Sequence, residues 1–309
     1  MRSHLIRVTT GFMRPSLATP QQLLQEALNS ADAAARDQAD VLCLPELFST
    51  FGKPDSKGYQ RGESVPGPTT RALSRKAKQH RLYIICPLLQ KSEGRLFNAA
   101  VLIDRQGRIA GIYHKHVPTT GELEHGVSPG AEVPAFQTDF GRIGISICFD
   151  VNYDDVTNQL ARQQVKMIFW PSMFEGGFLL EDMARRCDAY VVSSTYGESA
   201  RILDLTGRTL ATATYLNPLV TADVNLQRAT YLLDTNADKL LRLKRKYGSA
   251  VTVEYLKPEQ RVVLGSNKPG LTLAALDREF QLEPRTAFLA RARSLRDQAF
   301  GSRNQEHSK

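Results

Sequence analysis

One cysteine of the chain stands where a nucleophile could work. Within Gly141–Asp155, isoleucine occupies every second position from Ile143 to Ile147, which predicts a half-buried strand. Cys148 ends that strand, and the polar residues after it predict a turn into a helix. A sulfur at such a corner lies at the rim of a sheet, beside backbone N–H groups that the turn has released from the ladder. Taken alone, the pattern also fits a small cysteine buried in the core.

A carboxylate stands at the end of a second predicted strand. The short apolar run Val41–Leu44 is typical of a strand buried on both faces, and Glu46 follows directly after it. A carboxylate in this position is costly to bury unless it is paired or in use. Glu46 is therefore a candidate acid or base, with a salt-bridged turn residue as the alternative.

Three basic residues stand in the run His114-Lys115-His116, shortly after a hairpin that is predicted around Leu102–Ala110. Two histidines near a cysteine suggest a Cys–His pair. If the strand continues through the run, however, alternation directs Lys115 to one face and both histidines to the other. The lysine and the histidines then cannot share a pocket. The loop predicted after them carries Glu122 and Glu124, either of which could be an ordinary surface acid.

The composition is that of an ordinary globular protein. The chain has 309 residues, 23% charged and 42% hydrophobic, which allows one large domain or two smaller ones with a sizeable core. Its formal charge is +8, with one clear basic cluster at Lys239–Lys246, and this balance fits anionic partners without arguing for them. The four cysteines form no C-x-x-C pair, which argues against zinc. No apolar stretch is long enough for a signal peptide or a membrane span, so we expect a cytoplasmic protein with reduced thiols.

Alternating strands and helices up to about residue 224 indicate the α/β class. Helices are predicted at Gln21–Gln38, Thr69–His80, Val156–Gln164, Leu180–Cys187, Asp238–Tyr247 and Asn267–Phe300, and a surface loop at Phe51–Pro68. The segment Leu102–Ala110 is similar to Ile202–Ala211, and each predicts a hairpin with a tight turn. Two equivalent hairpins hint at two related sheets, although a common turn pattern can also recur by chance.

Three motifs taken together resemble the carbon–nitrogen hydrolase (nitrilase) superfamily. They are Leu44-Pro45-Glu46-Leu47, Tyr113-His114-Lys115-His116 and Gly144-Ile-Ser-Ile-Cys148-Phe-Asp150, in that order along the chain. The flanking segments Ser128–Gly130, Phe140–Gly144, Trp170–Ser172 and Ser199–Arg208 also look like family positions. The resemblance covers about residues 4–228. It implies a four-layer αββα sandwich of two mixed sheets over 4–228, and a homodimer or larger homo-oligomer. Residues 229–309 would form an extension that packs on the core or lies at the oligomer interface.

The resemblance also implies a role for each residue. Cys148 would be the nucleophile, forming a thioester with an acyl or carbamoyl group. Glu46 would be the general base, which requires a pKa raised by burial if it is to act at neutral pH. Lys115 would stabilise the oxyanion, with the backbone N–H of Phe149 as a second donor. No metal or organic cofactor is implied, because side chains supply the nucleophile, the base and the electrophile.

A second active-site glutamate is expected between the lysine and the cysteine. By its distance from Lys115 and Cys148 along the chain, Glu122 is preferred over Glu124. In this position it would orient Lys115 or the substrate amide. Glu124 is the alternative for this role, and it is also a candidate substrate-binding residue.

The residues after the cysteine distinguish branches of the superfamily. True nitrilases usually have Trp-Glu there, whereas Phe149-Asp150 looks more like the amidase and carbamoylase branches. Those branches often carry a basic residue at the position of Asn152, and an arginine in this region clasps the substrate carboxylate in N-carbamoyl amino-acid hydrolases. Asn152 does not supply that clasp, but it could bind a neutral or hydroxylated substrate.

The expected function is that of a hydrolase of a small amide or carbamoyl compound, cleaving a non-peptide C–N bond. Acyl transfer on the same fold is the first alternative. The second is a non-catalytic binding protein that uses Lys239–Lys246. The expected partner is a small-molecule substrate, with neither nucleic acid nor a membrane.

Overall fold

The computed structural model describes residues 5–13, 19–50 and 60–306, with side chains up to residue 300. Much of the surface loop predicted at Phe51–Pro68 lies outside the described residues. The chain divides into two compact units, one comprising Ile6–Val224 and the other the described residues from Asn225 onward together with Leu5. The chain passes from the larger unit to the smaller one after Val224.

The larger unit contains twelve described strands and five described helices. The strands are β1 (Leu5–Gly11), β2 (Val41–Cys43), β3 (Tyr83–Ser92), β4 (Arg95–Ile103), β5 (Ile109–His114), β6 (Ala135–Thr138), β7 (Gly141–Ile145), β8 (Met167–Pro171), β9 (Tyr190–Ser194), β10 (Arg201–Leu203), β11 (Thr209–Thr212) and β12 (Leu219–Asn225). The helices are α1 (Pro20–Arg36), α2 (Pro68–His80), α3 (Thr120–Glu124), α4 (Asp154–Arg162) and α5 (Phe178–Cys187). The sequence predicts each of these helices except the short α3, which lies in the expected loop after Lys115.

Two six-stranded mixed sheets form this unit, in the orders β12-β1-β2-β3-β4-β5 and β11-β10-β9-β8-β7-β6. The central strands β1, β2 and β3 are parallel, as are β7, β8 and β9, and each parallel set continues into antiparallel strands. The two similar segments form the hairpins β4–β5 and β10–β11, at corresponding places in the two sheets. In each turn an aspartate side chain, Asp104 or Asp204, accepts hydrogen bonds from two backbone N–H groups.

The predicted α/β class with two mixed sheets is confirmed. Hydrogen bonds join the facing sheets, from the Thr10 hydroxyl to the carbonyl of Ser193 (2.6 Å) and from the Ser194 hydroxyl to the carbonyl of Gly11 (2.8 Å). On the outer face of the first sheet, α1 and α2 bury small and leucine side chains such as Leu23 and Leu73 against the strands. Burial of these apolar faces is the main driving force for the layered arrangement.

The smaller unit is a three-stranded antiparallel sheet with helices. Its elements are β13 (Arg228–Leu232), α6 (Leu233–Tyr247), β14 (Val251–Leu256), β15 (Arg261–Ser266), α7 (Leu273–Phe280) and α8 (Arg285–Glu306), with strand order β13-β15-β14. Its core includes Tyr231, Leu240, Leu264 and Leu276. The sequence predicts a helix over Asp238–Tyr247 and one continuous helix over Asn267–Phe300, whereas the second region forms the two helices α7 and α8; the sheet is not predicted. No described helix in either unit is long and apolar enough to cross a membrane.

Candidate active site

Four polar side chains from separate segments of the larger unit meet in one buried cluster. Lys115 Nζ lies 2.9 Å from Glu46 Oε1 and 2.7 Å from Glu122 Oε2. The side-chain amide of Asn98 donates to both glutamates, at 2.7 Å to Glu46 Oε1 and 2.6 Å to Glu122 Oε1. All four residues are buried. The structure therefore brings together three residues that the sequence selects and adds Asn98.

Strand ends and one helix cap hold these side chains in place. Glu46 follows the end of β2, where Leu47 turns the chain with a left-handed φ of 49°. Lys115 continues the β4–β5 ladder, because its N–H donates to the carbonyl of Asn98 at 2.8 Å. Glu122 lies in the first turn of α3, and its carboxylate accepts the N–H of the capping residue Thr119 at 2.7 Å. This reciprocal cap fixes the carboxylate toward Lys115.

Cys148 lies at a sharp corner after β7 and has a left-handed φ of 48°. Left-handed backbone is unfavourable for a residue with a side chain, so neighbouring groups must hold the corner. The indole N–H of Trp170 does so by donating to the carbonyl of Cys148 at 3.0 Å. The cysteine is 7% exposed, so a small path to solvent remains.

Asp150 ties the Cys148 corner to the segment around Lys115. Its carboxylate accepts three hydrogen bonds: from the Tyr113 hydroxyl (2.6 Å), the N–H of Ile147 (2.9 Å) and the N–H of Val117 (2.8 Å). Tyr113 and Val117 flank Lys115 in the chain, and Ile147 precedes Cys148. The buried carboxylate therefore sets the relative position of the candidate nucleophile and the lysine.

The charges of the cluster are strongly coupled. Burial would lower the pKa of Lys115, but the carboxylates of Glu46 and Glu122 reverse this and raise it, so the ammonium stays charged. Burial likewise opposes ionisation of Glu122, yet Lys115 and the hydrogen bonds hold the pKa of Glu122 below its usual value. The carboxylate oxygen Glu46 Oε2 is buried and has no hydrogen-bond partner among the described residues. It is a free acceptor of the cluster, and so is the amide oxygen Asn98 Oδ1, which is likewise buried without a partner among the described residues.

The sulfur of Cys148 rests as a thiol. Burial and the nearby Glu46 carboxylate raise the pKa of Cys148 to about 12, while Lys115 lowers it. The N–H of Met173 and the hydroxyl of Ser172 also act on the sulfur and lower its pKa to a smaller degree. Because the thiolate is the nucleophilic form, a proton acceptor is needed at neutral pH.

The other residues selected from the sequence lie outside the cluster. Asn152 is exposed, and its amide donates to the carbonyl of Phe149 at 3.1 Å. Glu124 is also exposed. His114 bonds to Gln90 at 2.7 Å. This matches the expectation that strand alternation turns this histidine away from Lys115.

Asn98 was not selected as a site residue from the sequence, although its position in an apolar run could have indicated it. It is the one strongly polar residue in the otherwise apolar run Phe97–Ile103, which is typical of a strand, and a buried amide in such a run needs partners. Among the residues that the structure describes, no group of three or more His, Cys, Asp or Glu side chains could hold a metal ion.

Comparison with known proteins identifies the family of the chain and several relatives. A family model for carbon–nitrogen hydrolases matches residues 7–232. Omega-amidase NIT2 of Mus musculus is 24% identical over 263 residues, which are 76% of this chain and 93% of that protein. Deaminated glutathione amidase of Synechocystis sp. is 28% identical over 260 residues, 74% of this chain and 94% of that protein.

The fold of the larger unit is shared with solved structures. A crystal structure of an amidase from Nesterenkonia sp. superposes with a TM-score of 0.65 at 20% identity, covering 80% of this chain and 98% of that one. The family match extends over nearly the whole larger unit and includes every residue of the buried cluster. The chain therefore belongs to the carbon–nitrogen hydrolase family and is an amidase-like hydrolase.

Proposed function

We propose that the protein hydrolyses a small amide or carbamoyl compound through a thioester on Cys148, with Glu46 and Lys115 completing the triad. The observation that carries the proposal is the free oxygen Glu46 Oε2, which is buried beside a charged lysine and close enough to raise the pKa of a cysteine thiol. A buried acceptor without a partner is costly, and such atoms are retained where chemistry or a ligand uses them.

The first half of the reaction forms the thioester. Glu46 takes the thiol proton as the Cys148 sulfur attacks the carbonyl carbon, and the carbonyl oxygen becomes an oxyanion. The ammonium of Lys115 and the backbone N–H of Phe149 stabilise that oxyanion. As the tetrahedral intermediate collapses, the C–N bond breaks and Glu46 returns the proton to the leaving nitrogen. Ammonia or an amine departs, and the acyl group stays on the sulfur.

The second half of the reaction restores the enzyme. Glu46 takes a proton from a water molecule, whose oxygen attacks the thioester carbonyl, and the same donors stabilise the second oxyanion. The C–S bond then breaks and Glu46 gives its proton to the departing sulfur. Glu122 and Asn98 do not exchange protons in this scheme. They hold Lys115 and Glu46 in position.

A substrate panel tests the proposal directly. Aliphatic amides, carbamoyl compounds and nitriles are assayed for ammonia release, with Cys148→Ala beside the wild type and Cys187→Ala as the control for a buried cysteine outside the cluster. We expect turnover of amides or carbamoyl compounds by the wild type and by Cys187→Ala, and none by Cys148→Ala. An active Cys148→Ala variant would refute the thioester mechanism.

Adding hydroxylamine to the same assay separates hydrolysis from transfer. A hydrolase yields mainly the free acid, whereas an acyltransferase yields mainly the hydroxamate. If no compound of the panel is turned over and no acyl adduct forms on Cys148, the protein is a binding protein rather than an enzyme of this type.

A further inference from the structure

Tyr196 has a buried hydroxyl group without a hydrogen-bond partner in the described part of the chain. Its ring is partly exposed, but the oxygen itself is shielded from water. Other buried tyrosines differ in this respect: the Tyr113 hydroxyl bonds to Asp150 at 2.6 Å, and that of Tyr231 to Asp277 at 2.7 Å. Because buried hydroxyl groups in folded proteins are nearly always bonded, the partner of Tyr196 is expected to be a molecule that binds there.

The backbone around Tyr196 is anchored close to the candidate nucleophile. Tyr196 follows the end of β9, and the carbonyl of Ser194 accepts the N–H of Ser172 at 2.8 Å. Ser172 is the residue whose hydroxyl acts on the Cys148 sulfur. On the other side, the Thr195 hydroxyl donates to the carbonyl of Gly197 at 2.8 Å. The hydroxyl group of Tyr196 is thus carried by a fixed segment rather than a free loop.

Electrostatics connect the same hydroxyl to Glu46. Burial first, and then the negative charge of Glu46, raise the pKa of Tyr196 well above its usual value. The hydroxyl therefore stays protonated and can donate. Glu46 Oε2, Asn98 Oδ1 and Tyr196 Oη are all buried and have no partner among the described residues, so Tyr196 offers a free donor in addition to the two free acceptors.

We propose that Tyr196 determines substrate specificity by donating a hydrogen bond to an uncharged polar group of the substrate, such as a hydroxyl or a second amide. This inference rests on the proposed hydrolase function. The cluster of Glu46, Lys115 and Glu122 carries one positive and two negative charges, which disfavours an anionic group nearby. Asn152, which the sequence suggests for a neutral substrate, is exposed and bonded to Phe149 instead.

The test compares matched substrates in Tyr196→Phe and the wild type. Butyramide is the apolar probe, and 2-, 3- and 4-hydroxybutyramide are its hydroxylated counterparts. We expect the wild type to prefer at least one hydroxylated amide. In Tyr196→Phe, kcat/KM for that amide should fall about 3- to 10-fold, as for loss of one neutral hydrogen bond, while kcat/KM for butyramide stays within about 2-fold. Tyr255→Phe, which changes an exposed tyrosine in the smaller unit, is the control and should match the wild type on all four amides.

Each other outcome has a definite meaning. An equal loss on butyramide and the hydroxylated amides shows that Tyr196 serves folding or the chemical steps, and overturns the inference. Unchanged kinetics on every amide show that the hydroxyl contacts no substrate, and overturn it as well. In both cases the wild type still turns over amides, so the proposed function stands. A wild type that hydrolyses none of the amides and forms no adduct on Cys148 removes both proposals.

Discussion

The corner after β2 and the corner after β7 are built alike, yet they treat their buried carboxylates differently. Each ends a parallel strand and turns through a non-glycine residue in the left-handed region, Leu47 at φ 49° and Cys148 at φ 48°. After β7, both oxygens of Asp150 accept hydrogen bonds, three in all. After β2, Glu46 Oε1 accepts two hydrogen bonds, while Oε2 accepts none from the part of the chain that the structure describes.

This difference separates a carboxylate that holds the structure from one that is free to react. A buried acceptor left without a donor costs about 1–3 kcal/mol. Asp150 instead joins the backbone on either side of Lys115 to the backbone before Cys148. In the proposed mechanism one corner therefore supplies the proton acceptor Glu46, and the other holds the nucleophile Cys148.

The largest expected effect is that of Glu46→Gln on turnover. The amide keeps the shape of the side chain but cannot take the thiol proton, so kcat should fall by about 10²–10⁴-fold. The melting temperature should change little, because Lys115 keeps its 2.7 Å pair with Glu122. Steady-state assays and thermal melts measure the two quantities. A variant that loses stability but keeps its turnover would assign Glu46 to the scaffold and remove the contrast between the corners.

In contrast to Glu46→Gln, the substitution Asp150→Ala should mainly lower the stability of the fold. It leaves the Tyr113 hydroxyl and the N–H groups of Ile147 and Val117 without their acceptor inside the protein. Relief of the buried charge offsets part of this loss, and we expect the free energy of unfolding to fall by about 3 kcal/mol. Urea unfolding measures it. Turnover should also fall about 10-fold or more, because the Cys148 corner is no longer held relative to Lys115.

Tyr113→Phe is a milder form of the same change. It removes one of the three donors to Asp150 and leaves the two backbone donors in place. The free energy of unfolding should fall by about 1–2 kcal/mol, with kcat within about 3-fold of the wild type. Urea unfolding and the ammonia assay test both statements. A loss of turnover as large as that of Glu46→Gln would mean that Tyr113 acts on the reaction itself.

Much of the larger unit could be predicted because its strands and helices differ clearly in pattern. The motifs around Glu46, Lys115 and Cys148 also indicated that distant segments meet. In the smaller unit β14 (Val251–Leu256) was missed because only one of its residues is fully buried, so it lacks the apolar signal that marked β2 and β3. β15 (Arg261–Ser266) was missed although five of its six residues are buried.

The details of the site depended on three-dimensional contacts that a linear pattern does not contain. Asn98 looked like a minor interruption of a strand, but its amide bridges two glutamates. Asn152 was suggested as a substrate contact by its position in the family resemblance, and the short helical turn after the cysteine leaves its side chain exposed. The unpartnered hydroxyl of Tyr196 can be recognised only once every neighbouring donor and acceptor is known.

The smallest predicted effect is a pH dependence of the unfolding free energy that arises from the protonation of Asp150. Burial raises the pKa of Asp150 from 3.8 to about 6, against the effect of its hydrogen bonds. As the pH falls through 6 the folded protein takes up a proton that the unfolded chain does not yet bind, so folding is favoured. This contribution to stability is fully present below pH 3.8 and is lost as the pH rises through 6.

Comparison of the wild type with Asp150→Asn isolates this titration, because the asparagine cannot take up the proton and the other ionisable groups are shared. Between pH 7.5 and pH 5 the wild type should gain about 1 kcal/mol of unfolding free energy relative to the variant. Urea unfolding at pH 5, 6 and 7.5 measures the difference. A constant difference, or one that shrinks toward pH 5, would mean that Asp150 titrates as an ordinary carboxylate. Burial at the corner after β7 would then not raise the pKa of Asp150.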